Sequence, residues 1–235
     1  MIRFTKCFDI APADGLGLDG ALLETTAADG RSRAAVWSSA PALIVSRRDE
    51  RLPTFAAAAA AMEAAGLPVL IRQSGGTAVV QGPGILTISL TYALPPGRGP
   101  GAIDTDYGIL LEVVGTALAP LGIDLSLGAV PGAFCDGRHN LVTAGRKIAG
   151  TAQKRCRRQF QAVLVHAALL VDCDLDRVCT DINRFYELAG GDLRCSADAC
   201  ITVTQASGQT GGPISAALTA AAQAWLENQE PASLR

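Results

Sequence analysis

The chain has 235 residues, 49% of them hydrophobic and 18% charged, enough for one large domain, or a domain with a small cap, around a sizeable core. A formal net charge of −2 with no long basic run argues against a nucleic-acid partner. No apolar stretch reaches the roughly 18 residues of a membrane span, and two histidines, His139 and His166, argue against a His-rich metal site.

The N-terminal MIRFTKCFDI is too short in its apolar part for a signal peptide. The seven cysteines, at 7, 135, 156, 173, 179, 195 and 200, form no C-x-x-C pair, so reduced thiols in a cytoplasm are expected. Asp14 to Ala28 has apolar residues at 16, 18, 21, 22 and 23, the pattern of an amphipathic helix whose glycines loosen its start. Arg33 to Ser46 reads as two short strands broken at Ser39–Pro41, with Trp37 a core aromatic. Pro53 to Ala65, with six consecutive alanines at 56 to 61, predicts a packing helix lying close on a sheet, stopped by Gly66 and Pro68. Leu67 to Arg72 reads as a strand, then the turn Ser74-Gly75-Gly76 and strands Ala78–Gln81 and Ile85–Tyr92.

Ala93 to Gly101 is proline- and glycine-rich and reads as a surface loop. Asp104 to Pro120 has the clearest helical periodicity, with Asp104 or Asp106 as its cap. Asp124–Val130 and His139–Ala144 read as short strands, and Gly145 makes a turn. Lys154 to Arg158 (KRCRR) is a solvated charge run or a patch for an acidic carrier. Gln159 to Val171 is an apolar strand ending at Asp172–Asp174, Leu175 to Glu187 is helical, and Asp192 to Ser207 yields no assignment. Gly211 to Asn228 is a helix with Pro213 in its first turn, and there is no internal repeat.

Chemistry concentrates between Pro131 and Gln153. Cys135 lies in a small-residue turn, PGAFCDG, and Lys147 follows twelve residues later, past the turn at Gly145. A loop thiol and an amine beyond the next tight turn can meet, and a cation lowers a thiol's pKa toward the nucleophilic thiolate. Three of the 20 basic residues are lysines, Lys6, Lys147 and Lys154, and a lysine pKa shifts on burial where an arginine's does not. Upstream, Gly75 and Gly76 remove side chains where a ligand can approach backbone. Cys156, flanked by cations, is the rival nucleophile, ranked below Cys135.

GRKIAGTAQKR resembles the G-(R/K)-K-(I/F)-(A/S)-G-x-(A/S)-(Q/Y) signature of the lipoate-protein ligase, octanoyltransferase and biotin ligase superfamily. RQSGGTAV, some seventy residues earlier, resembles the family's R-x-S-G-G-x-A-V, and VHAALLVDCD its H-G-(S/T)-(I/L)-L-x-D-x-D with Ala167 replacing the glycine. The pair Phe134-Cys135 resembles the cysteine-dependent octanoyltransferases. The resemblance covers Leu16 to Asp174 and implies an α/β (α+β) fold: a mixed, largely antiparallel sheet flanked by helices. On this reading the chain is a single catalytic domain, with a family-like core at about 16–174 and a helical extension at about 175–235.

The resemblance further implies that Cys135 is the catalytic nucleophile. Lys147 would lower its pKa, orient the acyl carbonyl and take the proton of the incoming amine. Arg72, Ser74, Gly75, Gly76, Ala78, Asn140, Gly150, Thr151, Ala152, Gln153 and His166 would bind substrate, with an apolar slot along Ser74–Val80 and Ile148–Gln153 and oxyanion donors near Gly75–Gly76 or Gly150–Thr151. His166 is equally a satisfied core residue, and Asp19, where the family's first helix carries an aspartate, is equally a solvated carboxylate. The implied activity moves an octanoyl or lipoyl group through an acyl-cysteine thioester to a lysine, without metal, cofactor or ATP. The implied donor is octanoyl-acyl carrier protein or octanoylated glycine cleavage H protein. The acceptor is a lipoyl domain of a 2-oxoacid dehydrogenase or H protein. The alternatives are an ATP-dependent lipoate-protein ligase forming lipoyl-AMP, and a non-catalytic lipoyl- or carrier-binding protein. Ile71-Arg72 stands where the family usually has two arginines, which weakens the ligase reading, and His139-Asn140 departs from the aromatic-aspartate pair of the octanoyltransferases.

Overall fold

Strand β10 (Gln161–Leu170) sets the layers. Its side chains alternate, as a strand's must: Val163, Val165, Ala167 and Leu169 enter one apolar cluster, while Ala162 and Leu164 enter another on the opposite face. The computed structural model describes residues 3–94, 103–209 and 214–229. Around β10 the chain lays down β1 (Phe4–Ile10), α1 (Pro12–Asp29), β2 (Arg33–Ser39), β3 (Ala42–Ser46), α2 (Phe55–Ala64), β4 (Val69–Arg72), β5 (Val79–Gln81) and β6 (Ile85–Ala93). Then follow α3 (Ile103–Leu118), β7 (Ser126–Gly128), β8 (Asn140–Thr143), β9 (Arg146–Arg157), α4 (Leu175–Ala189), α5 (Val203–Ser207) and α6 (Ile214–Asn228).

Seven strands form one sheet in the order β1-β2-β6-β10-β9-β8-β7, antiparallel throughout except for β1 on β2. A small sheet, β4-β3-β5, pairs β3 parallel to β4 and antiparallel to β5. One face of the large sheet packs on α3 and α6 through Val36, Ile88, Leu90, Val163 and Val165. The other face carries α1, and α2 with α4 closes over the small sheet. The mixed, mostly antiparallel sheet flanked by helices is the expected architecture. Among the described residues no helix is long and apolar enough to cross a membrane.

Several local expectations need correction. The glycines of α1 do more than loosen its start: the helix begins at Pro12, and a Cβ on Gly15 would sit 2.4 Å from the Trp37 ring, so the glycine lets α1 lie on that indole. The alanine-rich α2 packs chiefly on α4 rather than on a sheet, touching β4. Asp106 does not cap α3; it is fully buried, accepting from Tyr92 Oη at 2.7 Å and pairing with Arg155 at 2.9 Å. Most of KRCRR is the end of β9, paired with β10 as far as Arg157. The strand expected over 124–130 shrinks to β7. Residues 192–207 contain α5, opened by a capping box in which Thr202 and Gln205 satisfy each other's backbone N–H. Strand β1 was not foreseen, because FTKCFDI lies at the sheet edge and has no clean alternation of burial. The loop read at 93–101 falls outside the described residues from 95 onward, as does Pro213.

Candidate active site

The loop after β7 carries Cys135, and five contacts shape it. The Asp136 carboxylate accepts from Val130 N–H at 2.8 Å, and Asn140 Nδ2 donates to the Cys135 carbonyl at 3.2 Å. Lys147 Nζ donates to the Phe134 carbonyl at 2.5 Å and lies 4.1 Å from the Phe134 ring centroid. The Cys135 sulfur itself accepts from Thr77 N–H at 3.3 Å. Cys135 has φ +48°, a left-handed conformation that costs a non-glycine residue of the order of 1 kcal/mol or more. The loop thus turns a side chain of 9% exposure onto the facing glycine turn.

That turn is held by Arg72. Its guanidinium donates to Gly75 O at 3.1 and 3.0 Å, to Thr77 O at 2.6 Å and to Ile44 O at 3.2 Å. Arg72 is therefore buried and braces the turn, rather than standing free at its mouth. Gly76, at φ +103°, has no room for a Cβ, which would fall 2.6 Å from Cys135 Sγ and 2.7 Å from Arg72 Nη2. Ala78 N–H donates to Tyr186 Oη at 2.9 Å, and that hydroxyl donates to Asp49 Oδ1 at 2.8 Å. Tyr186 and Asp49 escaped sequence reasoning, because they act through side chains distant in the chain and carry no pattern; the parts played by the Thr77 amide and the Phe134 carbonyl are backbone contacts that their motifs do not reveal.

Lys147 is fully buried on β9. The β8–β9 register slips between the pairs Leu141↔Ala149 and Val142↔Lys147, so two steps on β9 face one on β8. Beyond that bulge Lys147 turns toward Gly150, whose Cβ, were it present, would lie 3.2 Å from Nζ. Burial lowers the Lys147 pKa, and the nearby Cys135 charge opposes that shift without cancelling it. The ammonium's hydrogen bond goes to the Phe134 carbonyl, so Lys147 reaches Cys135 as an electrostatic neighbour braced on the adjacent residue.

Two cavities share Cys135 in their walls. One is a narrow slot of about 50 Å³ lined by Trp37, Val79, Gln81, Thr87, Gly150 and Ala168, among others. The other is a wide opening of about 740 Å³, bordered by Arg47, Arg48, the 73–77 turn, His139, Asn140 and Gln153. Cys135, Thr151 and Ala152 line both. Thr151 Oγ1 donates to His139 O at 2.7 Å, and the His139 ring stacks on Tyr107 with centroids 4.2 Å apart. Burial pushes the Tyr107 hydroxyl up to about 12.

One wall of the largely apolar slot carries a polar cluster. Asp19 is 4% exposed; its Oδ1 accepts from Ser89 Oγ at 2.6 Å and Trp37 Nε1 at 3.3 Å, and its Oδ2 takes His166 Nδ1 at 2.7 Å. The solvated-carboxylate reading of Asp19 is therefore wrong. Ser74 Oγ lies 3.4 Å from His166 Nε2. Trp37 is core and slot wall at once. Cys156 packs with Leu23, Ala27, Ala162 and Leu164 and borders a cavity under α1 that shares Asp19, Arg72 and His166 with the slot. Arg72, Ser74–Gly76, Cys135, Asn140, Lys147, Gly150–Gln153 and His166 thus gather around one slot and its mouth, with Ala78 anchoring the turn.

This fold is that of the lipoate-protein ligase catalytic domains. The chain aligns over 96% of its length with lipoate-protein ligase A solved with ATP bound, covering 85% of that chain at 19% identity with a TM-score of 0.74. The model for the lipoyl protein ligase A/B catalytic domain matches residues 11–207, and the chain belongs to that family, on its octanoyltransferase branch. It is 39% identical over 211 residues to an uncharacterized protein of Cupriavidus necator, covering 83% of this chain and 82% of that one. It is 36% identical over 188 residues to octanoyl-[GcvH]:protein N-octanoyltransferase of Kyrpidia tusciae, covering 77% of this chain. The matched stretch spans 64% of that relative's length.

Proposed function

We propose that this chain transfers an octanoyl or lipoyl group from a carrier protein to a lysine of a lipoyl-accepting domain, through a thioester on Cys135. One observation carries the reading: Cys135 lines both a narrow slot and a wide mouth, so an acyl tail in the slot would present its carbonyl to sulfur while a protein surface approaches from the mouth. The names of the octanoyltransferase relatives support the same substrate class.

In the first half-reaction the Cys135 thiolate attacks the acyl carbonyl. The bond to the donor's sulfur or lysine nitrogen breaks, and the leaving group takes a proton. In the second, the acceptor's amine attacks the thioester, the C–S bond breaks and the amine loses a proton. On this reading Lys147 takes that proton. Its depressed pKa brings the neutral amine closer to working pH. Burial of an eight-carbon tail contributes several kcal/mol at about 0.8 per methylene. Octanoyl-acyl carrier protein or an octanoylated glycine cleavage H protein fits as donor, and a 2-oxoacid dehydrogenase lipoyl domain or H protein as acceptor. The reaction balances without ATP or a metal. Arg72, with its donors committed to Gly75, Thr77 and Ile44, speaks against its gripping an adenylate.

Transfer assays test the reading. Octanoylated carrier plus apo lipoyl domain, without ATP, yields octanoylated lipoyl domain. Modification that requires ATP and lipoate, with AMP released, contradicts it in favour of the ligase.

A further inference from the structure

Gln81 ends β5 at 6% exposure. Its Nε2 donates to Thr87 Oγ1 at 2.9 Å, while its Oε1 is buried without a hydrogen-bond partner. Gln81 and Thr87 both line the slot that begins at Cys135. Gln81 is also the one described residue shared with a separate cavity of about 280 Å³, walled by Leu67, Val80, Ile85 and Val178. It therefore forms the partition between the slot and the space behind it.

The sheet register gives the slot a length. Gly150 on β9 pairs with Ala168 on β10, and Ala168 with Thr87 on β6, so the three lie in a row across the sheet. Two strand spacings of about 4.8 Å make roughly 9.6 Å. An extended eight-carbon chain, with C–C bonds of about 1.5 Å in zigzag, spans about 9 Å. A chain whose carbonyl lies beside Cys135 and Gly150 ends at Thr87, against the Gln81 amide. A buried amide oxygen without a partner carries a desolvation penalty that a donor on the chain's end removes.

We propose that Gln81 is the specificity-determining residue at the far end of the slot. It stops the acyl chain near eight carbons, and it offers a free amide oxygen to a hydrogen-bond donor at the chain's terminus. This rests on the acyl-transfer reading of the same site.

The test compares acylation of the full chain by carrier thioesters of octanoyl, dodecanoyl and 8-hydroxyoctanoyl groups, followed by intact mass. Gln81→Ala raises the dodecanoyl-to-octanoyl rate ratio by about tenfold or more, because the partition is gone. Gln81→Leu conserves volume, keeps the length limit and lowers the 8-hydroxyoctanoyl-to-octanoyl ratio by about tenfold, because the acceptor is gone. Should Gln81→Ala not fold, the Gln81→Leu ratio decides. Unchanged ratios in folded variants overturn the assignment of Gln81 and leave the transferase reading standing. No acyl adduct on the unsubstituted protein from any donor overturns both.

Discussion

At the mouth of the slot Cys135 is held at φ +48° with one backbone N–H on its sulfur, whereas at the inner wall Asp19 gathers donors from Trp37, Ser89 and His166. The mouth is built from two loops that face each other, the 73–77 turn and the turn around Cys135. The inner wall is built from α1 and three strands. Strain and an under-satisfied sulfur suit a group that must change its bonding during a reaction. A buried carboxylate with several donors suits a wall that must not move. On the proposed reading the reactive atom sits on a loop and the acyl-binding surface on the sheet.

The largest effect expected from breaking this contrast lies at Lys147. Lys147→Met lowers transfer by about 10²–10⁴-fold, the usual contribution of a positioned acid or base. The same variant does not lose stability near neutral pH, because a buried cation is replaced by a side chain of similar length. The pH dependence has a definite sign. The folded-state pKa of Lys147 lies below its ordinary value, so the unfolded chain binds more protons in the window between the two. Stability from this group therefore rises with pH through that window, and Lys147→Met flattens the slope in urea titrations.

Next comes Gly76→Ala. Its methyl meets Cys135 Sγ and Arg72 Nη2 at a positive φ, which displaces the sulfur and lowers transfer by about a hundredfold, with a smaller loss of stability. At the other end, Asp19→Ala strands the donors of Trp37, Ser89 and His166. It costs about 2–4 kcal/mol by denaturant melts, with the activity loss following stability. The smallest effect sharpens the choice of nucleophile: Cys156→Ser changes the transfer rate by less than about twofold, because Cys156 packs under α1 and lines neither the slot nor its mouth.

The sequence made most strands and the main helices legible through periodicity and turn residues, and the residues now found around the slot were implied by the family resemblance of RQSGGTAV and GRKIAGTAQKR. It also gave Cys135 a loop environment, through Gly132, Asp136 and Gly137. What it concealed depends on tertiary approach. Asp19 looks like a helix-surface carboxylate until α1 is laid on Trp37 through Gly15. Arg72 looks like a ligand-facing cation until the 73–77 turn folds back its carbonyls. The bulge that turns Lys147 toward Phe134 and Gly150 has no signature in GRKIAG, and the β1 edge strand has none in FTKCFDI.

The most direct check is the intact mass of the protein after incubation with octanoylated carrier and no ATP. The account predicts one octanoyl adduct that hydroxylamine removes, that the apo lipoyl domain discharges, and that is missing from Cys135→Ala while present in Cys156→Ser. An adduct that persists in Cys135→Ala would contradict it.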